Sequence, residues 1–179
     1  VCTAIMEHDP DDLNANYNLI RLDYNAGRWD VAVNRIQRFI SVADRLNAES
    51  AMHLYYYYAD ILHAAQHDNL ALENLNRALA IRSDFKAAVD LKLTIYLEHE
   101  HWREALPSFK VLLSLSQDDD ERGAIHKRIA EVWHFYLNDP EKAIQEYEQA
   151  LTLGGDVEDV PIRLLELYRA QGLWKKAAI

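Results

Sequence analysis

The chain has 179 residues, half of them apolar, with only 5 glycines and a formal charge of −10. That charge argues against a general binder of nucleic acid or anionic membrane, because phosphate contact needs clustered Lys and Arg. No apolar run approaches the roughly 20 residues that cross a bilayer, and a single cysteine, Cys2, excludes an intramolecular disulfide.

In chain order, residues 1–10 read as the tail of a preceding repeat, with Asp9-Pro10 as the start signal of the next helix. Five alanines follow at spacings of 39, 34, 38 and 34 residues: Ala32, Ala71, Ala105, Ala143 and Ala177. Four residues after the first four stand Ile36, Leu75, Phe109 and Tyr147; seven residues after them stand Phe39, Ala78, Leu112 and Ala150. Offsets of 0, +4 and +7 share one stripe of an α-helix, so each copy contributes a helix with the same buried face. About 34 residues accommodate two helices and two turns. One helix pair cannot bury its stripe alone, whereas stacked pairs bury a continuous core. The spacing divides residues 1–179 into a single array with pairs at 11–46, 47–84, 85–118 and 119–156 and a partial pair at 157–179. The two long spacings place about one extra helical turn each near residues 41–50 and 115–122. Asp118 to Glu121, Asp139-Pro140 and Asp159 before Pro161 mark helix starts. Pro107 falls inside a helix beginning near Trp102, where it removes the N–H that the Arg103 carbonyl needs. Beginning without an initiator methionine or signal peptide and ending at Ile179, the chain is expected to be a fragment of a longer protein. The compartment stays open, the cytoplasm slightly favoured.

Gly27-Arg28-Trp29 before Ala32, Gly172-Leu173-Trp174 before Ala177, and the run PEKAIQEYEQAL from Pro140 to Leu151 resemble the tetratricopeptide repeat (TPR) family over essentially the whole chain. Glu100-His101-Trp102 keeps the tryptophan without the glycine, Gln66 to Asn69 keeps neither, and the turn near Asn138 is about one residue longer. The resemblance implies an all-α, right-handed superhelical solenoid of antiparallel helix pairs, with the first helix of each pair on the concave face. It implies protein–protein interaction as the function. The family's clamp for chaperone C-terminal tails needs Lys and Asn, then Asn, then Lys and Arg. Tyr17 and Arg21, Tyr57, then Ala87 and Leu91 occupy those places, so no such clamp is expected.

The concave face implied for the first pair presents Asn14, Tyr17, Asn18, Arg21, Tyr24 and Asn25, which suit the backbone of an extended peptide. The second presents His53, Tyr56, Tyr57, Asp60 and His63, the third Asp90 and Thr94, and the fourth Lys127 and Arg128. In the run Tyr55 to Tyr58, Tyr55 and Tyr58 fit the packed stripe, which turns Tyr56 and Tyr57 towards the groove, unless the whole run fills space between helices. His63 and His67 have a metal-compatible spacing, but no Glu follows His63, and a solvated pair is the simpler reading. No phosphate loop or nucleophile motif is visible, so no catalytic residue, metal or cofactor is assigned. Three functions stay open: a non-catalytic adaptor binding a peptide or helical segment of a partner; a regulatory or substrate-recruiting arm of a larger enzyme or transcription regulator; and a self-assembly element pairing through its end repeats.

Overall fold

The computed structural model describes residues 12–155 and 157–177. The expected tail at 1–10, the Asp9-Pro10 start signal, Cys2 and Ile179 lie outside them. The described residues form helices and turns only: α1 (Leu13–Asn25), α2 (Trp29–Phe39) running into a 3-10 turn (Ile40–Arg45), α3 (Ala48–Ala64), α4 (Asp68–Ile81), α5 (Lys86–Glu98), α6 (Trp102–Leu115), α7 (Asp119–Glu131) continuing as a π-helical turn (Val132–Tyr136), α8 (Pro140–Leu153), α9 (Val160–Ala170) and α10 (Trp174–Ala177). They gather into two compact units that divide between Ile95 and Tyr96, inside α5.

The alanine stripe is the core of the second helix in the first four pairs, whereas in the partial fifth pair Ala177 is half-buried and its helix has no buried residue. Ala32, Ala71, Ala105 and Ala143, and with them Ile36, Leu75, Phe109 and Tyr147, are fully enclosed. A large apolar side chain buried this way contributes about 1.5–3 kcal/mol, and the small alanine lets the neighbouring helix approach. In the first unit this stripe meets Ile20, Met52, Leu54 and Tyr55. In the second, Ala143, Ile144 and Tyr147 meet Val160, Leu164 and Leu167.

Each first helix ends the same way. Gly27, Gln66, Glu100, Asn138 and Gly172 all have φ between +50° and +69°, and each stands five residues before its alanine. The next residue's N–H closes back on the helix, Arg28 to the Asp23 carbonyl, His67 to Leu62, His101 to Tyr96 and Leu173 to Tyr168, at 2.8–2.9 Å. This is the Schellman closure of a helix C-terminus. The fourth turn reaches one residue further, from Asp139 N–H to the Trp133 carbonyl at 2.9 Å, because the π-helical turn holds an extra residue. Three of the five turns take the left-handed conformation without glycine.

The extra residues of the long spacings lie largely in the first helices. α3 has 17 residues where α1 and α5 have 13, and α7 adds five π-helical residues to its 13. Side-chain caps form at Asp12 (to Ala15 N, 2.6 Å), Asn47 (to Ser50 N, 2.9 Å) and Asp139 (to Lys142 N, 3.1 Å, with Pro140 opening α8). Asp118 and Asp159 precede α7 and α9 without a side-chain cap bond. Pro107 does lie inside α6. In the second unit the first turns of α7 pack on the end of α8 at glycines. A Cβ on Gly123 would lie 2.0 Å from the Gly154 carbonyl oxygen, and one on Gly155 would lie 2.5 Å from that of Asp120.

Candidate partner-binding site

Residues 14, 17, 18 and 21 share one face of α1 by their spacing, and Glu49, His53 and Tyr57 share one face of α3 by the i, i+4 rule. The first unit sets these faces side by side, forming a cleft of about 490 Å³ lined by Asn14, Tyr17, Asn18, Arg21, His53 and Tyr57, with Asn47, Glu49 and Ser50 at the start of α3. Asn18 Nδ2 donates to the Asn14 carbonyl at 2.9 Å. His53 Nδ1 lies 2.9 Å from the Glu49 carbonyl. A carbonyl only accepts, so Nδ1 carries the proton, and Nε2 of the neutral ring is left to accept. Arg21 is exposed and makes no ion pair with any described residue. The cleft therefore offers guanidinium, amide, hydroxyl and carboxylate groups together, able to pair with both the N–H and the C=O of an extended chain.

Behind the cleft the tyrosines are packed against one another. Tyr57 stacks on Tyr24 with centroids 4.3 Å apart, and Tyr56 and His53 each meet the Phe85 ring edge-on at 5.3 Å. The Tyr24 hydroxyl donates a short hydrogen bond to Asp60 Oδ2. Burial, then that bond, hold the Tyr24 hydroxyl protonated far above the phenol range. Burial also raises Tyr56, with the charge of Asp60 adding to it. Burial raises Tyr57, which Tyr17 reinforces and Arg21 opposes. Tyr55 is buried, while Tyr56, Tyr57 and Tyr58 are all half-buried against the core. Tyr58 is thus packed no more deeply than the two expected to face the groove. Of these rings Tyr57 also lines the cleft, with Tyr17, while the others fill the interhelical space.

The other sequence-derived residues stand elsewhere. Asn25 is exposed at the end of α1. His63 pairs with Asp68 across the α3–α4 turn, Nδ1 to Oδ1 at 2.6 Å. On α5, the Thr94 hydroxyl donates to the Asp90 carbonyl at 3.0 Å. Lys127 and Arg128 belong to the second unit, where Lys127 Nζ meets Asp159 Oδ1 at 2.7 Å and the Arg128 guanidinium lies 5.2 Å over the Phe109 ring. Asn47, Glu49 and Ser50 were missed by the pattern reading. Glu49 lies one turn before His53, a signal that reading could have used. Among the described residues no three His, Cys, Asp or Glu side chains stand close enough to hold a metal ion, and no helix is long and apolar enough to cross a membrane.

No family model matches the chain, and no curated protein does. Solved structures do. A MamA structure (AMB-1) superposes with a TM-score of 0.65 at 17% identity, over 90% of this chain and 84% of that one. The C-terminal part of a TPR repeat-containing protein from Cytophaga hutchinsonii gives 0.66 at 14% identity, over 96% of this chain and 64% of that one. A kinesin light chain-like protein of nearly identical TPR-like repeats from Podosopora anserina gives 0.57 at 17%, over 94% and 91%. At such identities the likeness is one of fold, and the fold is the all-α helix-pair repeat of TPR proteins.

Proposed function

We propose that this chain is a non-catalytic protein-interaction scaffold whose first unit binds an extended segment of a partner protein in the polar cleft between α1 and α3. The observation that carries the reading is the convergence of Asn14, Asn18, Arg21 and His53 in one cleft that Tyr17 and Tyr57 also line. Packing alone does not call for it, since an exposed arginine without an ion pair adds nothing to the core. Tyr and Arg are the residues most often found at the energetic centres of protein interfaces, and ring stacking pre-sets Tyr57, which lowers the entropy lost on binding.

The test is affinity capture of partner proteins from source-cell lysate, comparing the parent with an Arg21→Glu/His53→Ala variant. Both substitutions fall outside the enclosed core, and circular dichroism checks that helix content is equal. A protein that the variant retains at least about tenfold less well, a difference of about 1.4 kcal/mol, supports the cleft as the site. Equal retention of every captured protein by both forms rejects it.

A further inference from the structure

We propose that a second cleft, beside Trp29, is a binding site for an aromatic side chain flanked by basic residues on a partner protein. Trp29, Trp102 and Trp174 hold the same place in three helix pairs, three residues before the alanine. In the second unit the ring of Trp102 is covered: Tyr136 stacks on it with centroids 3.7 Å apart and planes 15° from parallel. Tyr136 stands two residues before the left-handed Asn138. The residue two before the left-handed Gln66 is Ala64, which has no ring to lay on Trp29. Trp29 is accordingly 48% exposed, and beside it opens a cleft of about 520 Å³ walled by Val33, Ile61, Ala64 and Ala65. The second unit thus shows, within the same chain, what kind of group covers a tryptophan in this position.

The charge at the rim selects the flanking residues. Asp30 borders the cleft, is exposed and makes no ion pair with a described residue. The C-terminal end of α3, at Ala64 and Ala65, adds the negative pole of a helix dipole. A lysine or arginine beside the aromatic residue meets both. The cleft shares no residue with the one that carries the proposed function, so either reading can fail alone.

The test follows the indole N–H resonances of the four tryptophans by NMR, with Trp29 assigned through Trp29→Phe. The probes are the capped tripeptides Lys-Tyr-Lys, Lys-Leu-Lys and Glu-Tyr-Glu. Lys-Tyr-Lys is expected to shift the Trp29 resonance saturably and to bind about tenfold more tightly than either other probe, a difference of about 1.4 kcal/mol. Asp30→Lys, an exposed substitution that leaves the packing alone, should abolish the preference for lysine flanks. Ala64→Tyr should place a ring on Trp29, move its resonance before any peptide is added, and remove the response to Lys-Tyr-Lys. The proposal is overturned by the absence of a Trp29 shift up to about 10 mM peptide, where any affinity is weaker than about −2.7 kcal/mol. It is equally overturned if Lys-Leu-Lys binds as well as Lys-Tyr-Lys, or if charge-reversed probes and Asp30→Lys change nothing.

Discussion

Replacing Gly123 by alanine sets two effects against each other, and the structure decides between them. Gly123 lies inside α7, where alanine is favoured by about 1 kcal/mol on helix propensity alone. Its added Cβ, however, would lie 2.0 Å from the Gly154 carbonyl oxygen, 3.0 Å from the Gly154 carbonyl carbon and 3.3 Å from the Ala150 carbonyl oxygen. All three are backbone atoms at the end of α8, so no side chain can rotate away. The two helices must separate by more than about 1 Å, and overpacking of that kind costs about 3 kcal/mol at the upper end of its usual range. The net expectation is a loss of about 2 kcal/mol. With a urea m-value of about 2 kcal/mol/M, the midpoint should fall by roughly 1 M. Far-UV circular dichroism in urea measures the midpoint. Amide hydrogen exchange locates the change, because a helix-repeat array can open in part. The expected pattern is faster exchange in α7 and α8, with α1 to α4 unchanged. A variant as stable as the parent, or more stable, would show that propensity governs this position and that the close approach is not a constraint.

The left-handed turns give a prediction of the opposite sign. Gln66→Gly and Glu100→Gly should each stabilise by about 0.5–1 kcal/mol, since the left-handed conformation costs a residue with a Cβ about 1–2 kcal/mol and glycine returns part of that as lost entropy. Asn138→Gly should gain less, because asparagine tolerates this region better; urea midpoints that fall in all three would refute the turn argument. The Tyr147 hydroxyl is buried without a hydrogen-bond partner among the described residues, and burial, with the charge of Glu131 adding to it, pushes it up to about 12. Tyr147→Phe should therefore be neutral or stabilising by up to about 1 kcal/mol, and a loss beyond that in the same assay would show the hydroxyl to be satisfied. His134 is held below its ordinary 6.5, first by burial and then by Arg163, with Glu166 opposing. The unfolded chain then binds the more protons just below pH 6.5, so His134 makes stability rise with pH across that window and lowers it as pH falls towards the depressed value. Urea midpoints on either side of the window should show a shallower rise for His134→Phe than for the parent; equal slopes would remove His134 as the cause.

The helix pairs were legible because packing restricts which residues can stand on the buried stripe. Ala32, Ala71, Ala105 and Ala143 could be read from their period, and each is fully enclosed. The turns were only partly legible. Glycine marks a left-handed residue where it occurs, as at Gly27 and Gly172, but Gln66, Glu100 and Asn138 take the same conformation within the backbone hydrogen bonds that close their helices. The better signal was positional, five residues before the alanine. The π-helical turn at Val132–Tyr136 showed in the sequence only as a turn about one residue too long, since nothing in the identity of those five residues distinguishes π from α winding.

The surface is less legible for a related reason. An exposed position on a first helix is not constrained by packing, so its residue type can answer to a ligand, to solubility or to nothing. Spacing brought Asn14, Tyr17, Asn18 and Arg21 onto one face, and the pairing of α1 with α3 placed His53 and Tyr57 opposite them. The same spacing could not tell that His63 is engaged by Asp68, or that Tyr24 is tied to Asp60, because those partners lie in other turns and helices. Tyr57 carries both roles: one ring face supports the stack on Tyr24, while the side chain also lines the cleft. For such a residue the choice between packing and binding is not exclusive, and a stability loss on replacing it would say nothing against the cleft. The exposed Arg21 separates the two, since it makes no ion pair with a described residue and its reversal should change binding while leaving the fold intact.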